Sequence, residues 1–255
     1  MGDAENIILF PYWCEKELER FKLIGMNWKK LTHTNLKLRF VFVGRWDCNN
    51  IDIKKYSKVF EKYGVVSHIV LSTPQSLSRK PTRHDFAKHM FVKTMKYINR
   101  FSKSNDGGFA LWMESDVMFL KNQWLNKLYD EWSKQKNTLL MGHLVSYKND
   151  TDQIKRNFPN HINGVACYAK NIIEYIPENT FYTSYRAFDV IVYNHLVKNK
   201  LMNRIICSEQ WKHQLDFDCN EVEFDEVDSD KIILHGCKSN KNFNKLLNAQ
   251  IKDTA

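Results

Sequence analysis

The 255-residue sequence predicts one α/β domain, a doubly wound mixed sheet flanked by helices. Three observations predict it. Apolar runs rich in β-branched and aromatic residues alternate with stretches of helical period through about the first 75 residues. The 7 Trp, 11 Tyr and 16 Phe need a core or a binding surface, which excludes a disordered chain. With 9 Gly and 5 Pro, collagen-like and linker-like chains are excluded as well.

The elements follow in order. Asn6-Ile-Ile-Leu-Phe-Pro-Tyr reads as a buried strand ended by Pro11, which has no N–H to give a ladder. Residues 14–31 place Leu18, Phe21, Leu23 and Ile24 at helical spacing. Residues 36–44 form a second strand that stops at Gly44, residues 53–63 a helix that stops at Gly64, and residues 65–71 a third strand. A helix over 86–101, with Thr82 or Asp85 near its start, presents His89, Lys93, Lys96 and Arg100 on one face. A loop over 102–108 leads to a fourth, wholly apolar strand at 109–113. Beyond it come a helix at 124–133, a strand at 138–142, a polar loop at 148–159, a strand at 164–169, a helix at 189–198 and a last strand at 231–235.

The net charge of +9 is unevenly placed. Arg79, Lys80, Arg83, Lys88, Lys93, Lys96, Arg100 and Lys103 face a single acid, Asp85, whereas residues 216–230 carry acids and neither Lys nor Arg. Each block is either a solvated face or a recognition surface, and the basic one would suit a polyanion. No apolar run approaches the roughly 20 residues of a membrane span. The start, Met1-Gly2-Asp3-Ala4-Glu5-Asn6, is acidic and unlike a leader, and Asn6 stands where a myristoylation signal needs Ser or Thr. The 6 cysteines form no C-x-x-C pair, so free thiols and a cytoplasmic location are expected.

The strongest chemical signal is Glu114-Ser115-Asp116. An apolar strand delivers two carboxylates to its carboxyl end, which is where ligands of doubly wound sheets bind. Hard oxygen ligands suit Mg²⁺ or Mn²⁺ bridging to phosphates. The alternative is a polar turn after a buried strand.

Over about residues 5–240 this pattern resembles the nucleotide-sugar glycosyltransferases of the GT-A fold. The resemblance implies that Glu114-Ser115-Asp116 stands for the family's aspartate-x-aspartate motif, with Glu in place of the first Asp. Asp116 would hold the metal directly, Glu114 would act through water or the ribose, and Ser115 would lie against the donor. His235-Gly236-Cys237-Lys238 is similar to a carboxy-terminal segment in which a histidine completes the metal site and a lysine reaches phosphate. The resemblance places Asn163 and Gly164 near the sugar, though an ordinary Asn-Gly turn explains them equally. It makes Asp189 the base facing the acceptor, though a helix N-cap is equally good physics. Pro11, Tyr12 and Trp13 would hold the nucleoside base, with core packing the reading for one of the two aromatics, and Arg83 and Asp85 would contact the nucleotide.

The expected activity is metal-dependent transfer of a sugar from a nucleoside-diphosphate sugar, with Mn²⁺ or Mg²⁺ as cofactor. Residues 5–120 would form the donor half, 121–240 the acceptor half and 241–255 a tail. The acceptor is either a glycan or small molecule, or a hydroxymethylated base in DNA met through the basic helix. Two other classes remain. A nucleotidyltransferase shares strand-end carboxylates but has a Gly-rich loop that Phe10–Tyr12–Trp13 lacks. A non-catalytic nucleic-acid-binding protein would leave Glu114, Asp116 and His235 unexplained.

Overall fold

Strand β1 (Glu5–Tyr12) is buried from Asn6 onward, and the sheet is built outward from it. The computed structural model describes residues 4–31, 36–48, 50–72, 82–102, 107–146, 160–213 and 231–236. β2 (Lys37–Gly44) and β4 (Phe109–Trp112) flank β1 in parallel, and β3 (Val65–Val70) extends the sheet beyond β2. On the other side β7 (His161–Ala169) runs antiparallel to both β4 and β6 (Leu140–Val145), and β8 (Ile205–Cys207) closes the edge. The order is β3-β2-β1-β4-β7-β6-β8, a mixed α/β sheet.

Helix α1 (Glu15–Leu31) carries two acids in its first turn, where they complement the helix dipole. Its Leu18, Phe21, Ile24 and Trp28 recur at three and four residues and are all buried. Phe10 packs between Phe21 and Phe42 with both ring centroids at 4.8 Å. Trp28 meets Phe40 and Trp124 edge-on, at 5.6 and 4.7 Å. Such aromatic pairs add stability beyond the area they bury.

Pro11 does not end β1, which runs on to Tyr12. Leu9 accepts from Met113 N–H, so the polar groups of odd-numbered residues face β4. β4 stops at Trp112, and the N–H that Pro11 lacks has no ladder to serve. The 53–63 helix is shorter than expected: α2 (Lys54–Ser57) tightens into a 3₁₀ turn at Lys58–Phe60. Helix α3 (Arg83–Phe101) begins three residues earlier than expected because Thr82 and Asp85 close a capping box. α4 (Trp124–Ser133) lies where it was expected.

Elements of three to six residues escaped the sequence reading: β5 (Val117–Phe119), α5 (Glu178–Thr183), β8 and β9 (Trp211–His213). α6 (Phe188–Lys198) follows α5. β5 pairs antiparallel with β10 (Ile233–His235), which pairs parallel with β9, in a second small sheet.

The basic stripe of α3 is answered by acids along part of its length, while Arg100 at its end is exposed. Lys88 is 1% exposed, with Nζ 2.8 Å from Asp85 and donating to the Ser184 carbonyl at 2.6 Å. Lys93 and Lys96 both meet Glu178 of α5, and His89 is buried against Trp46. Arg79, Lys80, Lys103, the 148–159 loop, the acidic run 216–230, Lys238 and the 241–255 tail lie outside the described residues. Among the described residues no helix is long and apolar enough to cross a membrane.

Candidate active site

Strand order reverses between β1 and β4, since β1 leads outward to β2 while β4 leads the other way. The carboxyl edge at such a switch point leaves a crevice. Here it is a cavity of about 400 Å³ with Pro11, Trp13 and Glu17 on the β1 side and Glu114, Ser115 and Asp116 on the β4 side. Asp189 and Phe188, at the start of α6, form its far wall.

β4 releases Glu114 and Asp116 into a turn, and β5 then pairs with β10 so that Val117 stands opposite His235. The register of the small sheet therefore carries a side chain from the end of the described chain onto the two acids. His235 Nε2 lies 3.2 Å from Glu114 Oε2 and 3.3 Å from Asp116 Oδ1. Ligand atoms of the three residues all fall within 4.8 Å of one another. Asp116 and His235 are buried, while the Glu114 side chain is 41% exposed and opens toward the cavity. Burial opposes a charged imidazole, but hydrogen bonds to Asp116 and Glu114 outweigh it and hold His235 up at about 10. Two carboxylates and an imidazole this close are a donor set that a divalent cation fits.

The antiparallel β7 completes the site through a bulge. Gly142 pairs with Ala166 and Leu144 with Ile162, so Asn163, Gly164 and Val165 stand opposite His143 alone. Asn163 Oδ1 accepts from Val165 N–H at 3.0 Å, and the buried Tyr168 hydroxyl donates to the Gly164 carbonyl at 3.1 Å. Gly164 is thereby pressed between the acids. A Cβ there would lie 3.3 Å from Glu114 Oε1 and from Phe188, and 3.5 Å from Asp189 Oδ2. Asn-Gly is thus part of a strand bulge rather than a free turn.

Asp189 is not the N-cap of α6. That position is Ala187, and Asp189 lies in the first turn with Oδ1 accepting from Val190 N–H at 2.9 Å. Its Oδ2 is 3.7 Å from His161 Nε2. Burial raises its pKa, His161 and Val190 N–H pull the other way, and the Glu114 charge raises it further, for a net rise.

Two donor-side expectations change, those for Tyr12 and Asp85. Tyr12 is fully buried, its ring and hydroxyl against Gly44 where a Cβ would meet Tyr12 Oη at 2.5 Å, so it belongs to the core. Trp13 is the aromatic that faces the cavity, with Arg83 Cζ 5.4 Å above its ring. Asp85 does not line the cavity but serves the helix cap and Lys88. Burial would raise Asp85, and the hydrogen bonds from Lys88 and Thr82 outweigh it to hold it down at about 2.

Glu17 and Arg20 of α1 also line the cavity, and the sequence reading missed both. Glu17 accepts from Trp13 N–H at 2.8 Å, and burial, with a contribution from Glu114, pushes it up to about 7. The signal for them was available: the first turns of the helix after β1 face the switch point.

A parallel half-sheet with strand-end acids, an antiparallel β7 and a small second sheet returning a histidine to those acids make up a fold of the GT-A type. Solved structures share the fold over nearly all of the chain. The galactosyltransferase LgtC, solved with donor and acceptor sugar analogues, aligns with TM-score 0.59 at 11% identity over 96% of each chain. Mouse xyloside xylosyltransferase 1 aligns with TM-score 0.53 at 8% identity over 91% of this chain and 97% of its own. Residues 1–349 of S. aureus TarS, in complex with UDP, align with TM-score 0.50 at 12% identity over 98% of this chain and 66% of that one. No protein-family model matches the chain, and no curated protein matches its sequence.

Proposed function

We propose that the chain is a metal-dependent glycosyltransferase that moves a sugar from a nucleoside-diphosphate sugar to an acceptor hydroxyl. The observation that carries this reading is the convergence of Glu114, Asp116 and His235 within 4.8 Å at the mouth of the switch-point cavity. Asp116 and His235 would hold Mn²⁺ or Mg²⁺ with Glu114 completing the set, and the ion would supply positive charge where the leaving diphosphate develops negative charge. Trp13 and Arg83 form a ledge for the nucleoside, next to Pro11, and Arg20 adds a cation beside it. We place Ser115 against the donor, and Lys238, three residues past His235, on the phosphates. Asn163 and Gly164 let β7 pass close behind Glu114 and Asp189, so that both carboxylates keep their places toward the transferred sugar.

Asp189, with its raised pKa and its place across the cavity from the acids, takes the proton of the attacking hydroxyl. That role requires inversion at the anomeric carbon, so the configuration of the product tests it. The donor half then spans residues 5–120 and the acceptor half 121–240. The acceptor is a glycan or small molecule rather than a base in DNA, because Glu178 answers Lys93 and Lys96 and Lys88 is buried. The free thiols of Cys14, Cys48, Cys167 and Cys207 suit a reducing compartment such as the cytoplasm.

The test is calorimetric titration of UDP with and without Mn²⁺, followed by a screen of sugar nucleotides against neutral glycans and hydroxymethylated DNA. UDP should bind only with the metal, and Asp116→Asn should weaken metal-dependent binding by at least about a hundredfold, since even outer-shell changes cost 10–100-fold. Metal-independent binding, or an unaffected Asp116→Asn variant, would sink the proposal.

A further inference from the structure

Residues 184–190 are a wall between two cavities. Ala187, Phe188 and Asp189 face the donor cavity. Ser184, Tyr185, Arg186 and Val190 face a second cavity of about 380 Å³ set between α5 and α6. Lys88 fastens the wall to α3 through the Ser184 carbonyl.

The second cavity has a distinct chemistry. Arg186 enters from the wall, and His195 and Lys198 enter from α6, three residues apart and so on one face. Among the described residues no Asp or Glu lines it, and none of the three basic groups has a carboxylate partner. Several other basic side chains meet acids: Lys93 and Lys96 meet Glu178, Lys88 meets Asp85 and Arg45 meets Asp47. Three basic side chains around one concavity with no acid attract an anion. Tyr185 stands at the rim, 79% exposed, with Arg186 Cζ 5.8 Å from its ring centroid. An exposed aromatic ring held by an arginine offers a flat apolar face with charge beside it, which suits a sugar ring that bears an acidic group.

We infer that this cavity binds an anionic monosaccharide unit of the acceptor, a sugar phosphate or a uronic acid, across the wall from Asp189, with the acceptor reaching over the wall to the donor cavity. The inference rests on the glycosyltransferase reading of the neighbouring cavity and names the acceptor class for it. Arg186, His195 and Lys198 take the acid group, and Tyr185 stacks on the ring. A duplex is the poorer fit, because phosphate-backbone binding needs a track of cations and the lysines of α3 are already paired.

The experiment uses glucose 6-phosphate, glucuronic acid and uncharged methyl glucoside as probes. Binding is read by calorimetry and by saturation-transfer NMR, with and without UDP and Mn²⁺. One or both anionic probes should bind, methyl glucoside at least about tenfold more weakly, since an ion pair to arginine is a charge-assisted hydrogen bond. The first two probes separate phosphate from carboxylate. The Arg186→Gln/Lys198→Gln double variant should lose about tenfold or more, and Tyr185→Ala should weaken saturation of the sugar-ring protons. UDP with Mn²⁺ should not displace the probe. Equal binding of methyl glucoside, full retention in the double variant, displacement by UDP, or binding of a DNA duplex alone that the double variant abolishes would each overturn the inference. UDP titration of the same samples separates the two readings. Loss of UDP binding with probe binding intact removes the donor assignment and leaves the anion site standing; the reverse removes the anion site alone.

Discussion

The two halves of the large sheet are built differently. From β3 to β4 every strand is parallel, and β1 pairs with β2 through eight unbroken positions, from Glu5 with Lys37 to Tyr12 with Gly44. Past β4 the direction turns round at β7 and back again at β6 and β8, and the β6–β7 register breaks between Gly142 and Leu144. The regular half carries the aromatic core of Phe10, Phe21, Phe40, Phe42 and Trp28. The irregular half carries what shapes the site: the bulge at Gly164, Asp189 on the helix behind it, and the small sheet that returns His235. Regular pairing makes stability and a firm ledge, while irregular pairing aims groups at one point. Damage to the first half should therefore unfold the protein, and damage to the second should disarm it.

The largest effect tests the regular half. Phe10→Ala removes a ring that meets Phe21, Phe42 and Phe60 at 4.8, 4.8 and 4.9 Å. It should cost about 3–5 kcal/mol in urea unfolding. Transfer rate per folded molecule should stay within about twofold, because the ring touches nothing in the cavity and distant sites act independently. A large fall in rate with little loss of stability would break the division of labour.

Gly164→Ala tests the other half. Its Cβ would sit 3.3 Å from both Glu114 Oε1 and Phe188. The bulge is packed, so the carboxylates must move, at about 1–3 kcal/mol of overpacking. Turnover should fall by roughly tenfold or more, in line with the sensitivity of reacting groups to displacements of an ångström or less. UDP affinity should change less than turnover, since Trp13 and Arg83, the proposed nucleoside ledge, are not among the groups that this Cβ would meet.

This contrast also explains what the sequence made legible. β1 to β4 are wide apolar runs separated by helical periods, and local pattern is enough to find them. Tyr12 is the last residue of a strand buried on both faces, whereas Trp13 lies past its end. Glu114 and Asp116 are legible because they end such a run. β5, β8 and β9 have three residues each, too few for a period, and exist because of partners far along the chain. Asn163-Gly164 reads as a turn until the pairing of β6 shows three residues opposite one. The basic helix misled for the same reason: Glu178, its partner, lies on an element that periodicity does not reveal.

Tyr168→Phe sharpens the comparison with a smaller change. Only the hydroxyl that donates to the Gly164 carbonyl is lost, and the ring keeps its packing on Phe91 at 5.0 Å. Leaving that buried carbonyl without its donor should cost about 1–2 kcal/mol. Tyr168 acts through Gly164, so turnover should drop while the UDP affinity holds. If both parameters hold, the bulge does not depend on that hydrogen bond.

The smallest effect is a pH dependence that joins the two halves at Glu17. The residue sits on α1, in the regular half, and its carboxyl is pushed up to about 7 by burial and, to a lesser degree, by the charge of Glu114. A carboxyl raised on folding favours the folded state while it is protonated. Its contribution is complete below the ordinary carboxylate range and is lost as pH rises through about 7. In metal-free protein, stability measured by urea unfolding should therefore decline from about pH 4.5 to about pH 7 and level off above it, and Glu17→Gln, which keeps the shape without the charge, should flatten that decline. Glu114→Gln should flatten it partly, because burial rather than repulsion is the larger cause. An equal slope in the wild type and in Glu17→Gln would mean that Glu17 titrates as it does in the unfolded chain. The carboxylates of the β4 side would then not be felt across the cavity.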